Sequence, residues 1–335
     1  MLEKPDLQEG SIIACLEDEY GLPFAQVTFL PIGADQNTAV YRVVAADNAP
    51  YFLKLRSGPF DKSHVALAKF LRHQGNEQII APLANKRGLP WASLDDFTLI
   101  LYPFVEGRNG FEVELTDRQW SLLGSALRSV HTANVPSALL GHVRQESYSP
   151  QWRDSVRTFL ERVEKGVFGD EVALKLAGYL RLKQGEILDL VGQAERLALA
   201  LQARSQDYVL CHSDIHAGNV LIGANGSLHI VDWDDPILAP KERDLMFVGA
   251  GIGGVWNKAR EEALFYEGYG RTEVDPLALA YYRHERIVED IAIFCRQIFL
   301  TNDGGADREQ ALEYIASNFL PGHTIDMAHR SMPRR

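Results

Sequence analysis

The prevailing spacing of apolar residues shifts from strand-like to helical near residue 110, and that shift restricts the folds open to this chain more than any other feature. Before it, the short stretches 26-QVTFL-30, 39-AVYRVVA-45 and 51-YFLKL-55 are rich in β-branched and aromatic residues and are separated by turn residues such as 47-DNAP-50. Such strands with short connections predict an antiparallel meander. The segment 12-IIACLEDEY-20 has helical spacing, and one helix interrupts the strands: 61-DKSHVALAKFLRHQG-75, with Asp61 as N-cap, Val65, Leu67, Ala68 and Leu71 inward, and Gly75 as stop. The run 97-FTLILYPFV-105 reads as a buried strand ending at Pro103, and the glycine-bearing loop 106-EGRNG-110 marks a boundary between lobes, with a hinge over 102–110.

Beyond that loop the pattern is helical. Thr116 and Gln119 form a capping-box pair that opens a helix to about His131, and helices are expected over 151–166, 170–204 and 276–300. The short stretches 207-DYVLCHS-213 and 228-LHIVDWD-234 read as a small hairpin among them. The expected class is α+β and bilobal: an antiparallel β-sheet N-terminal lobe with one main helix (1–105), then a larger, mostly helical C-terminal lobe (106–335).

With 335 residues, 46% of them hydrophobic, the chain can fill two cores. Its net charge of −11, from 34 basic and 45 acidic side chains, disfavours nucleic acid or an anionic membrane as partner and favours a cationic one. Three cysteines far apart in sequence do not make a disulfide framework. The start MLEKPDLQEG lacks a basic-then-apolar leader pattern, and no apolar run approaches the roughly 20 residues of a membrane span, so a cytoplasmic protein is expected, and it is taken to act as a monomer.

Chemistry concentrates in 211-CHSDIHAGNVLIG-223 and 228-LHIVDWDDP-236. His212-x-Asp214-x4-Asn219 has the spacing of a phosphotransfer loop, in which the aspartate takes the acceptor's hydroxyl proton and the asparagine binds a metal. Asp232 stands where a second metal ligand belongs, since magnesium must offset the charge spread over the transferring phosphoryl group. Two other readings compete. Cys211, His212 and His216 offer soft ligands for zinc but lack a fourth at zinc spacing, and Asp and Asn also cap ordinary polar loops. Lys54 alternates with Leu53 and Leu55, so it projects from the opposite sheet face and can reach phosphates, although a strand lysine is usually just exposed. The turn 32-IGADQNTAV-40 is the place for a phosphate-covering loop, with backbone N–H groups around Gln36, Asn37 and Thr38 as donors. Backbone groups near Tyr102 and Phe104 would meet an adenine at the hinge.

HSDIHAGNV and VDWDD, preceded by YFLKL and LILYPF, resemble the aminoglycoside phosphotransferases, a branch of the protein-kinase-like fold. The segments 239-APKERDLMFVGAGIGGVWN-257 and 281-YYRHERIVEDIAIF-294 are similar to the spectinomycin phosphotransferases within it. The resemblance implies ATP as donor, Asp214 as catalytic aspartate, Asn219 and Asp232 as Mg2+ ligands, Lys54 on the nucleotide phosphates, and His212 supporting the loop. One departure stands out. Segment 61–75 has no glutamate to pair with Lys54; His64 occupies about that place, leaving Asp61 or the phosphates as partner.

For a small cationic aminocyclitol, Tyr282, Glu285 and Glu289 fall on one face of the last long helix, and Asp234 lies near the loop. A solvated face with pairs such as Arg286–Asp290 explains the helix pattern as well, while Arg243 and Asp244 read as structural supports of the loop. The alternatives in function are a kinase of an endogenous amino-alcohol or sugar, choline- or homoserine-like, and a kinase-like nucleotide-binding module without catalysis.

Overall fold

The computed structural model describes residues 2–33, 35, 37–58, 61–301 and 304–333. Their elements are α1 (Glu9–Tyr20), β1 (Phe24–Leu30), β2 (Thr38–Ala45), β3 (Pro50–Ser57), α2 (Ser63–His73), β4 (Ala92–Leu94), β5 (Phe97–Pro103), β6 (Gly107–Asn109), α3 (Asp117–His131), α4 (Ser137–Leu140), β7 (Arg144–Gln145), α5 (Gln151–Lys165) and α6 (Glu171–Gln202). They continue with β8 (Val209–Cys211), a 3-10 turn (Ala217–Asn219), β9 (Val220–Gly223), β10 (Leu228–Ile230), β11 (Ile237–Ala239), α7 (Glu242–Leu245), α8 (Ala259–Tyr269), α9 (Pro276–Leu300), α10 (Gly305–Asn318) and α11 (Thr324–Arg330). By contact the chain divides into two units: Met1–Leu115 with Thr132–Arg144 and Gly218–Pro236, and Thr116–His131 with Gln145–Ala217 and Ile237–Arg335.

In the first unit an antiparallel sheet of order β1-β2-β3-β5-β4 carries the core on one face, where Tyr41, Val43, Leu53, Leu55, Leu99 and Leu101 pack with Ile12 and Leu16 of α1. Cross-strand register sets Lys54 opposite Val40 and Ile100, and the strand's period of two turns it away from the Leu53–Leu55 face. Asp61 is not the cap of α2: the N-cap is Lys62, which makes no side-chain capping bond, and Asp61 contributes its backbone carbonyl to the His64 N–H at 3.2 Å.

The expected hairpin of 207–213 with 228–234 does not form. β10 pairs with β9, across a turn with Gly226 at φ 81° and the Ser227 N–H bonded to Asn225 Oδ1 at 3.0 Å. The apolar run 220-VLIG-223, which directly follows the loop motif, is the strand that sequence reasoning passed over. β6 pairs with the other edge of β9, so the expected hinge at 102–110 falls inside the first unit.

In the second unit β8 pairs with β11. α5, α6, α9, α10 and α11 enclose a core that includes Leu176, Leu180, Ile187, Val288, Ile291 and Ile315. α9 covers the expected span, opened by Asp275, whose side chain accepts the Leu277 N–H at 2.9 Å, and by Pro276 in the first turn. α3 begins with the capping box: Thr116 Oγ1 accepts the Gln119 N–H at 3.3 Å and Gln119 Oε1 accepts the Thr116 N–H at 2.8 Å. Gly124 of α3 and Gly268 of α8 let these helices touch backbone to backbone. An added Cβ at either position would overlap a carbonyl oxygen, of Phe265 or of Ser121 respectively.

Candidate active site

The pairing of β9 with β10 places two of the expected site residues together. Val220 lies opposite Ile230, and the Asn219 carbonyl accepts the Val231 N–H at 3.0 Å, so Asn219 and Asp232 leave the same end of the hairpin. Asp232 has φ 67°, a left-handed conformation unusual for a residue with a side chain and the kind of strain that collects at functional sites. Its carboxylate accepts from Lys54 Nζ at 2.8 Å.

Asp234 is the second partner of Lys54, at 2.5 Å, and it also pairs with Arg56. The His64 ring nitrogen Nδ1 bonds the Asp234 carbonyl at 2.7 Å. The missing helix glutamate is thereby accounted for: α2 contributes a histidine that holds the backbone of Asp234, and the carboxylate of Asp234 meets the lysine. Burial alone would lower the Lys54 pKa, but Asp232 and Asp234 outweigh it and raise the value, so the ammonium stays charged. The carboxylate of Asp234 therefore faces Lys54 and Arg56 and is not displayed to an amine.

In the turn before β2, Asp35 collects the donors. Its carboxylate accepts the Asn37 N–H at 2.9 Å and the Thr38 hydroxyl at 2.6 Å, and its carbonyl accepts the Thr38 N–H at 3.2 Å. Gln36 lies outside the described residues. Tyr102 and Phe104 are half-buried at the end of β5 and beyond it. Tyr102 pairs with Phe52 across the sheet, and Arg42 stacks over the Phe104 ring at 5.3 Å.

In the second unit the loop 212–217 is held from beneath by Asp244 on α7. This fully buried carboxylate accepts the N–H groups of His212 at 2.9 Å and Ser213 at 2.7 Å and pairs with His131 Nε2 at 2.9 Å. Burial would raise its pKa; the hydrogen bond and charge of His131 overcome this and lower it. Ser213 has φ 76°, and the Asp214 N–H donates to His212 Nδ1 at 3.2 Å, so His212 supports the loop through its acceptor nitrogen. Among the described residues His131, Cys211 and Asp244 form a cluster of metal-ligand type. Its atoms are already engaged: His131 Nδ1 meets the Tyr269 hydroxyl at 2.7 Å, and burial pushes the Cys211 thiol pKa well above its ordinary value.

Asp214 itself is half-buried. One carboxylate oxygen pairs with Arg286 of α9, and the other lies 3.5 Å from His216 Nε2. Burial works to raise its pKa, yet Arg286 and His216 prevail and hold it well below the usual carboxylate value.

The residues expected on the substrate face of α9 fare differently. Tyr282 is fully buried between the rings of Tyr148 and Tyr281, with Arg243 over its face. Glu285 is only 4% exposed, 3.6 Å from Arg153, and neither of its oxygens receives a hydrogen bond. Helical spacing put both on one stripe, but that stripe packs inward, so neither offers a carboxylate or ring edge to a ligand. Glu289 lies 3.5 Å from Arg243 at the partly exposed margin.

An antiparallel-sheet unit in which Lys54 meets Asp232 and Asp234, and a mostly helical unit that carries the Asp214 loop, make up a kinase-like phosphotransferase. Residues 28–280 match the profile of the phosphotransferase enzyme family, and the chain belongs to that family. The crystal structure of spectinomycin phosphotransferase APH(9)-Ia in complex with ADP and spectinomycin matches with a TM-score of 0.91 and 38% identity, over 98% of this chain and 99% of that one. Protein StrN of Streptomyces griseus is 25% identical over 280 residues, 80% of this chain and 85% of StrN. Choline kinase LicA from Streptococcus pneumoniae matches with a TM-score of 0.57 over 92% of this chain and 99% of that one; at 15% identity it shares the fold. Among the described residues no helix is long and apolar enough to cross a membrane.

Proposed function

We propose that this chain transfers the γ-phosphoryl group of ATP to a hydroxyl of a small cationic aminocyclitol, with spectinomycin as acceptor and resistance to it as the consequence. The observation that carries this reading is the likeness, over nearly the whole of both chains, to an enzyme solved with ADP and spectinomycin. In this reading Asp214 orients the acceptor hydroxyl and takes its proton as the new oxygen–phosphorus bond forms and the bond to the leaving ADP oxygen breaks. The low pKa produced by Arg286 and His216 keeps it ionised and ready to accept. Lys54 releases Asp232 and Asp234 in favour of nucleotide phosphates, a short exchange of one anion for another. Asn219 and Asp232 leave one end of the hairpin and carry an amide and a carboxylate, oxygen donors of the kind magnesium takes, and they would hold Mg2+. When bound, the ion neutralises charge developing on the phosphates. Of the residues expected to meet the amines, Glu289 is the one retained.

ADP release should be measured with spectinomycin, streptomycin, kanamycin and choline, and products checked by mass for one added phosphoryl group. Turnover of spectinomycin with a phosphorylated product is expected. Turnover of choline alone moves the assignment to an amino-alcohol kinase, and kanamycin without spectinomycin retains only the family. No product from any acceptor removes the reading.

A further inference from the structure

On α9, Arg286 and Asp290 stand one turn apart in a pattern that sequence alone reads as a solvated ion pair. The structure makes them something else. Their side chains are 17% and 14% exposed, and the guanidinium bridges two acids: Nε donates to Asp290 Oδ1 at 2.8 Å and Nη1 donates to Asp214 Oδ1. The Phe247 ring lies under the guanidinium at 5.6 Å, and the same ring meets the imidazole of His216, whose Nε2 faces the other oxygen of Asp214. His216, Asp214, Arg286 and Asp290 thus form one row on an aromatic base, with Glu289 the further charge acting on Arg286 and Asp290.

Resting on the assignment of Asp214 as base, we propose that Arg286, held by Asp290, is a positioning residue for phosphoryl transfer: it fixes the Asp214 carboxylate through Oδ1 and leaves Oδ2, beside His216, to receive the acceptor's proton. Three considerations support this. Burying an arginine with two acids is costly and, for stability alone, apolar packing serves as well or better. The planar fork satisfies two carboxylates in fixed directions, which a lysine cannot reproduce. Arg286 makes the closer, charged contact on Oδ1, whereas His216 stands 3.5 Å from Oδ2, so Oδ2 keeps the greater basicity of the two. Burial, Arg286 and His216 together set the protonation of Asp214, and the basic pair prevails.

The test uses Arg286→Ala, Arg286→Lys, Asp290→Asn and the double variant, with kcat and KM for ATP measured with spectinomycin, and with water as acceptor if spectinomycin is not turned over. Misplacing a catalytic group by about 1 Å costs on the order of 10²-fold, so Arg286→Ala should lose roughly that factor in kcat with KM for ATP within a small factor. Arg286→Lys should recover only part, and methylguanidine added to Arg286→Ala should restore turnover, which a purely structural defect would not allow. Asp290→Asn should lose less, and adding it to Arg286→Ala should cost nothing further, because both act through one contact. Normal kcat in Arg286→Lys and Asp290→Asn, which are mild enough to fold, overturns the proposal, as do additive losses or no response to methylguanidine. Asp214→Asn separates the two levels: full turnover in that variant removes the base assignment itself, whereas a dead Asp214→Asn beside unaffected Arg286 variants removes only the positioning role.

Discussion

Replacing Glu285 with Gln removes a buried negative charge that the fold does not satisfy. Neither carboxylate oxygen receives a hydrogen bond, whereas the neighbouring Arg153 already donates to the carbonyls of Ala194, Tyr148 and Ser149. Burial is the main reason that the Glu285 pKa rises from 4.5 to about 7, and Arg153, at 3.6 Å, offsets only part of it. For an acid with a raised folded pKa, the folded state binds its proton more tightly than the unfolded chain, so stability falls as pH climbs through the window from 4.5 to about 7. At about 1.4 kcal/mol per pH unit across that window, ionised Glu285 costs the folded protein roughly 3 kcal/mol above pH 7. Gln has no charge to lose. Thermal melts of both proteins from pH 5 to pH 8 should give near-equal Tm values at the acid end and a Tm for Glu285→Gln higher by roughly 5–10 °C at the alkaline end. Because the side chain is sealed, KM for spectinomycin should barely change. A Gln variant less stable than the parent at pH 8, or a difference that does not vary with pH, would refute the reasoning.

Four other outcomes follow from the contacts described above. Asp244→Asn replaces one acceptor oxygen by a donor facing buried N–H groups and should cost about 2–4 kcal/mol in denaturant unfolding, since unsatisfied buried groups cost about 1–3 kcal/mol each; kcat should fall with it as the loop carrying Asp214 loosens. Gly268→Ala should destabilise the second unit by several kcal/mol in the same assay, because the new Cβ collides with the Ser121 carbonyl of the facing helix; a neutral substitution would mean that α3 and α8 can slide apart freely. Asp214→Asn should lower kcat by roughly 10²–10⁴-fold with nucleotide affinity nearly intact. In the parent enzyme the low pKa of Asp214 keeps kcat level as pH falls through the ordinary carboxylate range, so a limb within that range in the kcat profile would contradict the pairing with Arg286.

Local chemistry was legible in the sequence. The Thr116–Gln119 capping box, the Asp275–Pro276 start of α9 and the alternation that turns Lys54 away from Leu53 and Leu55 each involve a few neighbouring residues, and backbone geometry alone dictates them. The motif residues Asn219 and Asp232 likewise leave one end of the β9–β10 hairpin, which local pairing alone sets. Packing decided the rest. Lys54 meets Asp232 and Asp234 across 178 and 180 residues of chain, and Arg286 meets Asp214 across 72. No periodicity encodes such meetings, since a side chain's partner depends on which face its element buries. Tyr282 and Glu285 show it most plainly: the helical period placed them on one line with Glu289, but only the packing around α9 determined that these two turn inward, where a carboxylate becomes a buried cost, while Glu289 stays at the partly exposed margin.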